Sequence, residues 1–420
     1  MARVGYGTHW TRHAAAPSLP RQDISRSHSA SRSPGVAVRS EGTGPVITRY
    51  GFVSTYPPTQ CGLATFTSAL FGALVTAGGG DGRVVRLVET PQPWPAAEVV
   101  GELVAGDPRG PWEAAELLNG GDVVIVQHEY GVYGGRDGEA ILPLLDALQV
   151  PSVVVLHTVL TAPTRNQRSV LEAVADKAGA LVTMTATARD RLAAGYAVDM
   201  RKVSVIPHGA HEPAGGHRRV GRSARPTVLT WGLIGPGKGI EWGIEAMSSL
   251  ADLTPAPHYV VAGHTHPKVL LREGEAYRKR LGAQVRRLDL GAAVTFDSRY
   301  RDIAALADLV RSADVVLLPY DSTDQVTSGV LIEAVAALIP VVATRFPHAV
   351  ELLGGGAGLL VDHKDPAAIG GALRQVLTRR DLAAGMTRAA AATAPALLWP
   401  AVAERYRELV SRLIAARLVS

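Results

Sequence analysis

One cysteine, Cys61, stands in 420 residues. A single thiol rules out an intrachain disulfide framework and a cysteine-cluster zinc site, and its scarcity favours a reducing, cytoplasmic setting. No apolar run approaches 18 uninterrupted residues, so no membrane-spanning helix is expected. No G-x-S-x-G turn occurs, which disfavours a Ser-His-Asp hydrolase. The histidines come without paired carboxylates or an i,i+4 His motif, so no metal is expected. The net charge is only +5. Six arginines in residues 1–45, set against Asp23 and Glu41, supply +4 of it. The remainder is nearly neutral, which argues against a broad nucleic-acid surface.

What is present is apolar and rhythmic. Hydrophobic residues make up 47% and charged residues 19%. Such a chain buries a core, and its length suggests two or three domains. Residues 1–45 show no hydrophobic period and read as a disordered basic tail. Their Arg/Ser-rich composition resembles a transit peptide but lacks an amphipathic stripe; an over-long start is an equal alternative. From Ile47, β-branched runs alternate with helical segments: ITRYGFVST, RVVRLVE, DVVIVQHE, SVVVLHT, LVTMT and VSVIPHGAHE are the strands. Between RVVRLVE and DVVIVQHE the Pro/Gly-rich stretch with Trp94 and Trp112 reads as a connection. Residues 212–225 read as an interdomain linker. The rhythm restarts at PTVLTWG and continues through HYVVAG, VTFDS, VVLLPY, PVVAT and GLLVD. REGEAYRKRLGAQVRRL reads as one charged helix, and the last ~35 residues as alanine-rich helix carrying Trp399 and Tyr406. Alternation of this kind predicts βαβ units and parallel sheets, whose strand ends would frame a cleft.

The chemistry has to come from loops at those strand ends. Gly232–Gly239, GLIGPGKG, lies between a strand and a helix. It satisfies G-x-x-x-x-G-K, yet Gly239 stands where a P-loop needs Ser or Thr for magnesium, and the strand ends offer no acid for the metal. What survives is a diphosphate cradle: Gly235 and Gly237 let the backbone approach, a helix N-terminus offers N–H groups, and Lys238 adds a charge. Further on, Ser328-Gly329 opens an apolar helix after a polar loop, a second anion-facing terminus. His128-Glu129 follows VVIVQ and His157 follows SVVVL. Each histidine alone is as well explained by a structural hydrogen bond as by catalysis. Two on strand ends raise the case for a site, with His208 and His264 as further cleft candidates.

YPPTQCGLATFTSAL, VQHEYGVYGG, LHTVLTAPTRNQRSVLE, VIPHG, GLIGPGKGIEW, GHTHP and DQVTSGVLIEAVAALIPVVATRFPHAVELL together resemble the retaining glycosyltransferases of family 4, GT-B fold. The likeness is greatest to a bacterial subgroup with Q-C-G-x-A-T-F, Q-H-E-[FY]-G and T-S-G blocks, and it runs from about Arg49 onward. It implies an α/β chain of two Rossmann-like domains with parallel sheets facing a central cleft. Residues 46–211 would hold the acceptor and 226–385 the nucleotide-sugar, with 386–420 packing back on the first domain. By the same resemblance, Gly62 lies in the loop near the donor phosphates and His157 near the reacting sugar. Lys238 is the diphosphate lysine, Ser328 and Gly329 begin the donor-facing helix, and Glu333 is the second glutamate of E-x7-E, which binds ribose.

Two positions depart from that pattern. Gln325 replaces the first glutamate and Leu233 replaces an arginine, leaving Lys238, the helix termini and Arg345 as counter-charges. Gln325 keeps hydrogen bonding but loses the charge. The resemblance implies a nucleotide-diphosphate sugar donor and a sugar, glycan or lipid-linked acceptor. No D-x-D triplet occurs, so no metal clamp and no cofactor are expected. Peripheral contact at the inner membrane face and the oligomeric state stay open. A GT-B epimerase or phosphorylase and a non-catalytic sugar-nucleotide-binding partner are the alternatives.

Overall fold

The computed structural model describes residues 47–93, 96–212, 225–299 and 301–419. The expected tail and nearly all of the expected linker lie outside these residues, as does Trp94. Seven strands build the first sheet: β1 (Arg49–Ser54), β2 (Asp81–Val88), β3 (Val99–Val104), β4 (Val123–His128), β5 (Ser152–Leu156), β6 (Ala180–Thr183) and β7 (Val203–Val205). Six build the second: β8 (Thr227–Trp231), β9 (His258–Ala262), β10 (Val294–Asp297), β11 (Val315–Leu318), β12 (Val341–Thr344) and β13 (Gly358–Val361). The helices of the first half are α1 (Gly62–Phe71), α2 (Gly110–Leu118), α3 (Leu142–Ala147), α4 (Arg165–Lys177) and α5 (Ala186–Gly195). Those of the second are α6 (Ile240–Met247), α7 (Pro267–Glu273), α8 (Ala276–Arg287), α9 (Ile303–Ser312), α10 (Gly329–Ala336), α11 (Pro347–Leu353) and α12 (Pro366–Thr378). Two more, α13 (Arg380–Thr393) and α14 (Trp399–Val419), follow.

The strand orders are 3-2-1-4-5-6-7 and 10-9-8-11-12-13, with every ladder pair parallel. In each sheet the order reverses beside the first strand, between β1 and β4 and between β8 and β11. A crevice opens outside the strand ends at such a reversal. The strands are apolar without alternation because helices cover both faces. Val123 to Val126 are all 0% exposed, as are Val315 to Leu318.

Local signals explain where the helices begin. Thr164 and Gln167 form a capping box at α4. Thr185, Asp302, Ser328 and Asp365 accept backbone N–H groups at the starts of α5, α9, α10 and α12. Such caps satisfy donors that the first helical turn leaves free.

The structure corrects two expectations. The Pro/Gly-rich connection holds the edge strand β3 and the helix α2. β3 alternates buried and part-buried residues, and Pro111 sits in the first turn of α2, where a missing N–H costs nothing. The charged helix is two helices, α7 and α8, broken at Gly274 with φ of 57°. No helix among the described residues is long and apolar enough to cross a membrane.

The chain ends back on the first sheet. Trp399, Val402, Tyr406 and Val410 of α14 share a core with Phe52, Phe66, Ile125 and Val155. Tyr406 is 0% exposed. α13 stays with the second sheet through Met386 and Ala390.

Candidate active site

The strand ends of the two sheets line one cleft of about 810 Å³. On the second-sheet wall the loop after β8 is held rigidly. Gly239 has φ of 61°, and a Cβ there would stand 1.7 Å from the Pro319 carbonyl oxygen, so only glycine fits. Asp321 N–H donates to the Gly237 carbonyl (3.0 Å), and Trp242 Nε1–H donates to the Asp321 carboxylate (2.9 Å). These bonds tie the loop to the end of β11. Lys238 lies in this frame with its Nζ 4.2 Å from the centre of the Tyr320 ring, a cation–π contact that supports the ammonium without neutralising it.

α10 opens onto the same cleft. Ser328 Oγ accepts from Leu331 N–H (3.3 Å), and Ser328 N–H donates to Nδ1 of the buried His348 (2.8 Å). Burial holds the His348 pKa down at about 4, so the ring stays a neutral acceptor. Glu333 lies one turn further in, hydrogen-bonded to Trp231, and burial pushes its pKa up to about 7. Gln325 lines the cleft before the helix, its amide donating to the Thr327 carbonyl (3.0 Å).

The first-sheet wall is built from Gly62, Glu129, His157 and His208 around an aromatic floor. Phe66 meets His157, His208 and Trp399 edge-on at 5.0, 5.0 and 5.3 Å. His157 Nε2 lies 2.8 Å from Gln127 Oε1. Burial, helped by His208 and His128, lowers the His157 pKa to about 3. His208 Nδ1–H donates to its neighbour's carbonyl at Gly209 (2.7 Å), and burial lowers its pKa to about 4. Both rings are therefore neutral near pH 7. Glu129 accepts from the Thr158 hydroxyl (2.5 Å) and from Tyr130 N–H (3.0 Å), and burial raises its pKa.

Of the residues singled out in the sequence, His157, Lys238, Gln325, Gly62, Gly329, Glu333, Glu129, His208 and His264 all line this cleft. Four do not. His128 is 0% exposed and its ring packs edge-on against Tyr130 at 5.3 Å, on the opposite face of the sheet from His157. Strand alternation decides this: adjacent positions on β4 face opposite sides. Ser328 is buried and spends its hydroxyl on capping α10. Gly235 and Gly237 shape the loop rather than the wall. Gly235 would bring a Cβ within 3.1 Å of Val269, and Gly237 has φ of 86°. Arg345 pairs with Asp362 at 3.3 Å instead of facing the cleft.

The cleft also holds residues that the sequence reading passed over. Arg299 and Arg301 line it, and both bind the Asp297 carboxylate, whose pKa they hold well below the usual range. Two arginines directly after the strand VTFD were the available signal. Trp231, Phe66 and Trp399 read as core positions and are also cleft walls.

Residues 218–393 match the family model described as glycosyl transferases group 1. The chain is 28% identical over 297 residues to D-inositol 3-phosphate glycosyltransferase of Corynebacterium jeikeium, covering 64% of this chain and 68% of that one. Sucrose-phosphate synthase from Thermosynechococcus elongatus superposes with a TM-score of 0.69 at 20% identity, over 88% of this chain and 100% of that one. The fold is GT-B. Anabaena HepE in complex with UDP-glucose shares it at a TM-score of 0.66 and 15% identity, over 87% of this chain and 100% of that one. The family match and the relative support a glycosyltransferase. In this GT-B cleft, Lys238, the α10 terminus and Glu333 lie on the second-domain wall, facing His157 and Glu129 on the first.

Proposed function

We propose that the chain transfers a hexose from a nucleotide-diphosphate sugar to an acceptor hydroxyl, with retention at the anomeric carbon and without a metal. The observation that carries this reading is the second-domain wall, where Lys238, the N-terminal Gly329 of α10 and Glu333 one turn inside line one cleft. A point charge and free N–H groups suit a diphosphate, and a carboxylate suits ribose hydroxyls. As the nucleoside diphosphate leaves, Lys238 and the α10 N–H groups stabilise the charge that develops on it. The acceptor attacks from the face the diphosphate leaves, and its proton passes to a donor phosphate oxygen. His157 hydrogen-bonds the reacting sugar as a neutral ring, and Gln325 contacts the sugar hydroxyls without adding charge. The first-domain wall, with Glu129 and His208, receives a sugar, glycan or lipid-linked acceptor. The reaction takes place in the cytoplasm.

The test is release of free nucleoside diphosphate from UDP-glucose and related donors, with and without a panel of sugar acceptors, in the presence of EDTA. Release that depends on acceptor and persists in EDTA is the expected result. Turnover of the donor without acceptor would favour an epimerase or phosphorylase, and binding without turnover a non-catalytic partner. Lys238→Ala is expected to lower turnover on the order of 10²–10³-fold. A rate near that of the wild type would remove Lys238 from the site.

A further inference from the structure

We propose that Gln127 is a positioning residue that holds His157 as its Nε2–H tautomer, so that Nδ1 is kept as an acceptor for a substrate hydroxyl. The role at the substrate rests on the glycosyl-transfer reading; the tautomer does not.

Gln127 is 0% exposed on β4, directly after an unbroken run of Val and Ile. A buried amide in such a strand carries a desolvation cost unless it is bonded, so its partner matters. Gln127 pairs with Val155 in the ladder, two residues before His157, so both side chains lie on the same face of the sheet. The strand ends are fixed around the pair. His157 N–H donates to the His128 carbonyl (3.1 Å), and the Tyr133 hydroxyl donates to the Gln127 carbonyl (2.6 Å). Phe66 braces the imidazole edge-on at 86°.

With Gln127 Oε1 facing the ring at 2.8 Å, the proton lies on His157 Nε2, because an amide oxygen can only accept; Gln127 Nε2 is buried without a hydrogen-bond partner, so the His157 contact is the one side-chain bond the amide makes. The ring nitrogen left for the cleft is Nδ1, a bare lone pair. The charge state agrees. Burial opposes protonation of the ring, and the neighbouring His208 and His128 add to that effect. Glu129, two positions along from Gln127, spends one carboxylate oxygen on Thr158 and the other on Tyr130 N–H. A neutral ring in one tautomer is a selective contact. It takes a hydroxyl that donates, and it offers nothing to a carbonyl or carboxylate at the same place.

The test uses the full chain labelled with 15N in histidine, with the His157 signals assigned from their loss in His157→Asn. The expected wild-type spectrum shows a protonated Nε2 and an unprotonated Nδ1 at His157, unchanged between pH 5 and 8. Gln127→Leu is expected to mix the tautomers. It should also lower kcat with UDP-glucose on the order of 10²-fold while KM changes less. Gln127→Glu places a carboxylate against the ring and favours the imidazolium. In that variant His157 should titrate near neutrality, and activity should gain an acid-side loss that the wild type lacks. A proton on Nδ1 in the wild type, or an unchanged tautomer in Gln127→Leu, would overturn the proposal. The wild-type spectrum decides even where a variant fails to fold. Wild-type inactivity with nucleotide sugars would count against the transfer reading and leave the tautomer assignment standing.

Discussion

Replacing Glu333 by Gln isolates one buried charge. The Glu333 carboxyl is pushed from 4.5 to about 7 by burial, with only Trp231 to hold the charged form. The sign follows from which state keeps the proton. The folded chain holds it up to about pH 7, whereas the unfolded chain gives it up near 4.5. Between those values the folded state binds more protons, so stability falls as pH rises, and the full cost is present above pH 7. The difference corresponds to roughly 3 kcal/mol, an upper bound because the outer face of the carboxyl borders the cleft. Glutamine keeps the shape and never ionises. The variant and wild type should therefore melt together near pH 5. At pH 8 the variant should melt higher, on the order of 5–10 °C, at about 2–4 °C per kcal/mol. Scanning calorimetry of both proteins at pH 5, 6, 7 and 8 reads this directly, and every other titrating group cancels in the difference. A difference that stays flat with pH would refute a buried, uncompensated Glu333. The same variant should lose donor affinity at pH 8, because a neutral amide accepts ribose hydroxyls less strongly than a carboxylate.

Further outcomes follow from the same structure. The pKa values of His157, His208 and His348 are lowered to about 3, 4 and 4. Each folded site refuses a proton that the unfolded chain takes near 6.5, so stability should fall as pH drops from 6.5 towards 4. A His348→Asn variant should lose part of that acid sensitivity, and an identical pH–Tm curve would count against it. Glu351, on α11 of the second domain, accepts from Ala186 N–H (2.8 Å), Thr187 N–H (2.9 Å) and the Thr187 hydroxyl (2.7 Å) at the start of α5 in the first. Glu351→Ala should cost about 1 kcal/mol and loosen the domains, seen as a larger radius of gyration by small-angle scattering. Unchanged scattering would mean that other contacts hold the domains.

Much of this was legible in the chain. Continuous apolar strands, cap residues and a restarting βα rhythm follow local rules, and local rules are printed in sequence. The GLIGPGKG loop and the Ser328 cap could be placed from spacing alone, because a glycine with positive φ and a helix N-cap are short-range requirements. β3 and α2 were not legible, because an edge strand half open to solvent and a helix begun by proline both look like connection. The gap at Gly274 was hidden by a charge pattern that continues across it.

The site divides in the same way. Sequence determined which residue types stand at the strand ends and that two sheets would present them to one cleft. Only the tertiary structure decided which of them face it. His128 and Glu129 are neighbours in the chain, yet the pleat buries the first and opens the second. Gln127 and His157 are 30 residues apart and meet at 2.8 Å because β4 and β5 pair in register. Arg345 looked free and is engaged by Asp362. Ionisation was decided there too. Burial, which depends on what packs around a group, raises the Glu333 pKa to about 7, so that the carboxyl titrates near neutrality, and keeps three histidines uncharged.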